Sequence, residues 1–124
     1  MLDTDVASYV IKGSAPQVDV RLRALEVSQV CISAVTRGEL RFGVRRLAAS
    51  VEKFLSGVET LAWDQDVADR FAEVRAVLEG GGTPIGILDT MIAAHALSVG
   101  AVLVTNNSKH FRRVGDLVVE EWGR

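Results

Sequence analysis

Residues Ile85–Asn107 read IGILDTMIAAHALSVGAVLVTNN, and the fold turns on them. The spacing predicts a helix to about Val99, a stop at Gly100, a core strand over Ala101–Val104 and a polar turn over Thr105–Ser108. Between Ile85 and Gly100 the only ionisable side chains are Asp89 and His95. A helix apolar all round is expected to be buried all round. A carboxylate there costs roughly several kcal/mol unless it is paired, coordinated or protonated. Asp89 therefore needs partners, and the rest of the chain is where they must lie.

Outward from that stretch, short apolar runs alternate with helical ones. Met1–Asp3 opens as a strand fragment, either starting at the first residue or continuing from upstream sequence. Thr4 or Asp5 is positioned to cap a helix reaching about Ile11, Asp5 being the better candidate. Gln17–Glu26 reads as a short helix and Val30–Ser33 as a strand. Ser33 caps a helix from Ala34 to about Leu47, with Gly43 weakening or breaking it, and Ala48–Gly57 continues helically. Val58–Trp63 reads as a strand. Asp64 caps a helix through Glu79 whose buried stripe is Val67, Phe71, Val74 and Leu78. Lys109–Arg113 is a helical turn and Leu117–Glu120 a last strand. Brief apolar strands alternating with helices predict an α/β domain with a parallel sheet covered on both faces.

The bulk properties narrow the classes. With 124 residues, 48% of them hydrophobic, the chain has enough for one domain with a real core, residues 1–124. The net charge of −2 leaves no global basic signature, so any nucleic-acid contact needs a local patch. The one cysteine, Cys31, lies in the run VCIS and cannot form an internal disulfide, which fits a reducing cytoplasm. MLDTD has no basic-then-apolar leader pattern, and no apolar stretch is long and charge-free enough to span a membrane. A cytoplasmic domain with no membrane association is the expectation.

In open parallel sheets, ligands bind beyond the carboxyl ends of the strands. By that rule Asp3, Thr105, Asn106 and Asn107 sit at strand ends, Glu39 in the helix leaving Val30–Ser33, and Asp89 in the helix before Ala101–Val104. Helical phase places Glu39 with Val35 and Phe42. Thr36, Leu40, Gly43, Val44 and Leu47 extend that apolar arc, and Arg37, Arg41 and Arg45 lie opposite. A merely solvated face would put Glu39 with the arginines. Asp89 stays open between an N-cap at a helix beginning at Thr90, half of a buried ion pair, and a metal ligand or catalytic acid. Carboxylates gathered without a basic partner need a shared proton or a divalent cation, and oxygen-only donors favour Mg²⁺ or Mn²⁺. No Cys/His cluster competes. His95 reads as a satisfied core or interface histidine. Ser33 reads as a cap with no adjacent base. The stripe Arg37, Arg41, Arg45 and the cluster Lys109, His110, Arg112, Arg113 suit a phosphate-bearing polymer if they border the acids, or a solvated face if they do not.

The segments MLDTD, ISAVTRGELRFG (Ile32–Gly43), Ile85–Asn107 and KHFRRV (Lys109–Val114) together resemble the PIN-domain ribonucleases, and within them the VapC toxins of bacterial toxin–antitoxin pairs. The resemblance spans nearly the whole chain. It implies a three-layer α/β/α sandwich and a Mg²⁺- or Mn²⁺-dependent endoribonuclease acting on structured RNA such as transfer RNA. It implies Asp3 and Asp89 as metal-holding carboxylates, Glu39 as the acid that positions or deprotonates water, and Thr105 as support. Asn107 falls where the family often has a fourth aspartate, and Asp5 where it often has asparagine, a swap that adds negative charge near the site. Arg37, Arg41, Lys109 and Arg112 are the candidate RNA contacts. Also implied are a VapB antitoxin covering the site, a toxin homodimer, a heterotetramer or larger complex with antitoxin, and operator DNA bound through the antitoxin.

Two alternatives stand beside this. Asp3-Thr4-Asp5-Val6 fits the DxDx(T/V) pattern of haloacid-dehalogenase-like phosphatases, with Asp3 as nucleophile and Asp5 as acid, though it leaves Glu39 and Asp89 unexplained. A catalytically weak PIN-fold binding partner is the second, if Asn107 has removed activity.

Overall fold

A computed structural model describes residues 1–124. Its centre is the first three residues. The Leu2 N–H donates to the Cys31 carbonyl (3.0 Å), the Val104 N–H to Met1 (2.8 Å), and the Asp3 N–H to Val104 (2.9 Å). Met1–Asp3 thus lies between strands β1 (Cys31–Ser33) and β3 (Leu103–Val104). On the outer sides, β1 pairs in parallel with β2 (Glu59–Leu61), and β3 in parallel with β4 (Val119–Glu120). The sheet order is therefore β2, β1, Met1–Asp3, β3, β4. The strands are shorter than the sequence runs suggest, and Met1–Asp3 forms a single bridge, Leu2 to Val104, in place of a full strand.

Seven α-helices cover this sheet: α1 (Thr4–Ile11), α2 (Pro16–Arg23), α3 (Ala34–Gly43), α4 (Ala48–Ser56), α5 (Gln65–Gly80), α6 (Ile87–Val99) and α7 (Ser108–Phe111). Successive strand residues face opposite sides, and the core divides accordingly. Met1 and Leu103 join Val74, Leu78, Ile92 and Phe111 on the α5–α7 side. Leu2, Ile32 and Val104 join Val6, Leu40 and Leu55 on the α1–α4 side. The result is the expected three-layer α/β/α sandwich. No helix is long and apolar enough to cross a membrane.

Local chemistry sets the ends. Asp64 and Ser33 cap α5 and α3 as anticipated, accepting from the Val67 and Val35 N–H groups. The cap of α1 is Asp3, whose side chain accepts from the Val6 N–H; neither Thr4 nor Asp5 serves, because the helix already begins at Thr4. α2 ends at Arg23, short of Glu26, and α3 stops at Gly43, followed by a 3₁₀ turn over Arg45–Leu47. Gly100 adopts φ 68°, the left-handed conformation that lets the Ala101 N–H close back onto Ala96 (2.9 Å) and stops α6.

Candidate active site

Asp3 ends the central segment at the carboxyl edge of the sheet. It is 5% exposed. Its Oδ1 accepts from the Val6 N–H at 2.9 Å, and the Thr105 side chain lies close enough to favour its ionised form. Burial pushes Asp3 up to about 6; the Thr105 side chain and the Val6 bond pull it down, and the neighbouring Asp5 and Asp89 charges add to the rise. The charged groups that act on it are thus both acids. This is a buried carboxylate in an acidic field, the situation a shared proton or a cation relieves.

Asp89 lies in the first turn of α6, whose N-cap is Gly86 at φ 92°. The cap interpretation of Asp89 therefore falls, and a carboxylate here profits from the positive end of the helix dipole. Its Oδ2 is 3.1 Å from His110 Nε2. The same nitrogen is 2.6 Å from the Ile85 carbonyl. A carbonyl only accepts, so Nε2 carries the proton and donates it to Ile85, with the Asp89 carboxylate beside the same nitrogen. Burial raises the Asp89 carboxyl and His110 draws it back down. The side chain is 41% exposed, so the expectation of an all-round buried helix holds for Ile92–Ala96 but not for the first turn, where Ile87 and Leu88 face outward.

Glu39 joins the site through Thr4, the residue after Asp3: the Thr4 hydroxyl is 2.6 Å from Glu39 Oε1 and 3.1 Å from Thr36 Oγ1. Glu39, Thr4 and Asp5 line a groove of about 710 Å³ with Phe42, Leu88 and Met91. The helical phase of Glu39, Thr36 and Leu40 is as anticipated, but Phe42 is 69% exposed and Leu47 also faces solvent. Leu47 lies beyond the end of α3 at Gly43, where the helical arc is broken, and the Arg45 guanidinium lies 4.7 Å over the exposed Phe42 ring.

Thr105 is fully buried and its hydroxyl accepts from the Asn107 N–H at 3.0 Å. Asn107 itself is exposed and its side chain makes no cap bond. The Asn107 backbone is thus tied to Thr105, which in turn lowers the Asp3 carboxyl.

The basic clusters are less free than the pattern suggests. Arg37 donates to the Thr60 hydroxyl (3.1 Å), Arg41 pairs with Glu52, and Arg113 reaches the Pro84 carbonyl (3.3 Å). His110 turns into the acid site. Lys109 and Arg112 are exposed. Ser33 does have an adjacent base: its Oγ is 2.6 Å from His95 Nδ1. His110 is the site residue that sequence reasoning placed elsewhere, in the basic cluster; Asp5 adds negative charge beside Asp3 as the resemblance implied, but is not the α1 cap. The Asp-x-Asp pattern at a strand end signals Asp5; nothing local signals His110, which meets Asp89 only through the fold.

No group of three or more Asp, Glu, His or Cys is gathered tightly enough to form a closed metal cage. What the site does offer is the smaller donor set of one or two carboxylates, Asp3 and Asp89. They offer oxygen only, the Asp5 and Asp89 charges add to the burial that raises Asp3, and Mg²⁺ is typically held by one or two carboxylates while keeping its waters.

A parallel sandwich with this acid group at its carboxyl edge defines the class, and comparison with known proteins agrees. The PIN domain family matches residues 1–117. The chain belongs to the PIN-domain family and, within it, to the VapC group. It is 39% identical to the tRNA(fMet)-specific endonuclease VapC of Shigella flexneri, over 98% of this chain and 96% of that protein. It is 37% identical to ribonuclease VapC2 of Haemophilus influenzae over the same shares. Among solved structures, DNA-bound VapBC from Salmonella typhimurium superposes with a TM-score of 0.92 at 38% identity, covering 98% of this chain and 96% of that one. VapBC2 from Rickettsia felis, bound to a DNA fragment from its promoter, gives 0.91 at 32%, with coverage of 98% and 97%.

Proposed function

We propose that residues 1–124 act as one PIN domain, a VapC toxin that hydrolyses phosphodiester bonds in structured, transfer-RNA-like RNA with Mg²⁺ or Mn²⁺. The observation that carries this is the Asp3 carboxylate, buried at the sheet's carboxyl edge and raised to about 6 beside two further acids. Asp3 and Asp89 would hold the cation. When bound, it makes water a stronger acid and offsets charge on the phosphate. Glu39, oriented by the Thr4 hydroxyl, positions the attacking water and takes its proton. Thr105 fixes the Asp3 rotamer, His110 fixes Asp89, and Asn107 hydrogen-bonds solvent at the open side. Lys109 and Arg112 hold RNA phosphates. Arg37 and Arg41 contribute only on release from Thr60 and Glu52.

The aspartyl-phosphate alternative asks for an accessible, ionised nucleophile, and Asp3 is buried, raised and engaged as a helix cap. The nuclease is favoured. This reading includes a cytoplasmic toxin that forms a homodimer. In that role a VapB-type antitoxin inhibits it, in a heterotetramer or larger assembly, and operator DNA is bound through the antitoxin.

The test is direct. Protein freed of antitoxin should cut total transfer RNA with Mg²⁺ or Mn²⁺, and EDTA or Asp3→Ala should stop it. Absence of cleavage with every divalent ion tried would leave a binding partner that does not cut.

A further inference from the structure

His95 is fully buried on α6, and the nuclease chemistry above makes no use of it. Its Nδ1 is 2.6 Å from the Ser33 hydroxyl, and its Nε2 is buried with no hydrogen-bond partner. Ser33 Oγ already accepts from the Val35 N–H at 3.1 Å. If Nδ1 carried the ring proton, the Ser33 hydrogen and Nε2 would both be stranded in the core. With the proton on Nε2, the Ser33 hydrogen goes to Nδ1 and one N–H remains unpaired, beside the Trp63 ring set edge-on at 5.8 Å. The second arrangement strands fewer groups, so Ser33 donates and His95 accepts.

This bond ties the first residue before α3 to the middle of α6. Glu39 lies six residues beyond Ser33 (39 − 33), and Asp89 six residues before His95 (95 − 89). At 1.5 Å per residue each acid is about 9 Å along its helix from the tie. A shift at the tie is carried rigidly to both acids.

We propose that the Ser33–His95 hydrogen bond is a latch that sets α3 against α6, and that His95 is a positioning residue for Glu39 and Asp89. This rests on the nuclease assignment for its effect on cleavage, and on geometry alone for its effect on the two helices.

Two substitutions separate the latch from simple core filling. His95→Phe keeps the ring volume and removes the acceptor. His95→Asn removes the ring and keeps an oxygen near the Nδ1 position. The latch predicts that His95→Phe lowers kcat by about tenfold or more with KM unchanged. His95→Asn should stay close to wild-type kcat even though its Tm falls. Core filling predicts the reverse order, and that order overturns the proposal. The independent readout is backbone NMR: the Glu39 and Asp89 amides should move in His95→Phe and stay in place in His95→Asn. Unmoved amides in His95→Phe overturn the latch whatever the activity. If the wild-type protein does not cut RNA, the nuclease assignment fails and the amide shifts still decide the latch.

Discussion

At Asp3, pH dependence and metal dependence meet in one carboxylate. Its folded value is about 6, against an ordinary 3.8. The folded chain therefore binds more protons than the unfolded one between those values, and stability falls as pH rises through that window. Above it, the ionised carboxylate costs about 3 kcal/mol at roughly 1.4 kcal/mol per pH unit. Asp3→Asn should accordingly raise the Tm of EDTA-treated protein at neutral pH, with no gain well below pH 4, while abolishing cleavage. Added Mn²⁺ should raise the Tm of the wild type and leave Asp3→Asn unmoved; equal shifts in both would place the ion elsewhere. Asp89 is half-exposed and caps nothing, so Asp89→Asn should lose cleavage and keep its Tm in a thermal melt. His110 holds Asp89 from across the fold. His110→Ala should weaken Mn²⁺ binding by about 10–100-fold in a calorimetric titration, as loss of a group that orients a ligand typically does.

At the scale of elements, α6 shows how periodicity was informative and where it stopped. Its apolar composition correctly marks the middle, where Ala93, Ala94 and Ala96 are buried against the sheet-facing core that α5 shares. It says nothing about the ends, because exposure of Ile87 and Leu88 depends on what covers them. The stop was legible: Gly100 takes φ 68°, which an L side chain enters at a cost of about 1–2 kcal/mol. Gly100→Ala should lose about that much in a urea titration, with cleavage per folded molecule unchanged. The strands were the poorest boundaries. Strands of two or three residues carry too little alternation to delimit, and their limits are set by neighbours in the sheet.

Across the whole molecule, one short segment joins two cores. Met1 faces the α5–α7 side and Leu2 the α1–α4 side. Leu2→Ala and Leu103→Ala empty opposite faces of the same sheet. Each should cost about 2–5 kcal/mol and still give one cooperative transition, because the faces share the backbone of the central segment. Two separate transitions in either variant would show the layers unfolding independently.

The sequence by itself determined the α/β class, the caps at Ser33 and Asp64, the stop at Gly100, and Asp3, Glu39, Asp89 and Thr105 as candidates. These are properties of residue type and spacing, which act over one or two helical turns. Only the tertiary structure decided that Asp3 is the α1 cap, that His110 holds Asp89 and that Ser33 meets His95. It also decided that Arg37 and Arg41 are engaged with Thr60 and Glu52. Each of these depends on which side chains the sheet order brings together across long loops, a distance over which local pattern carries no information.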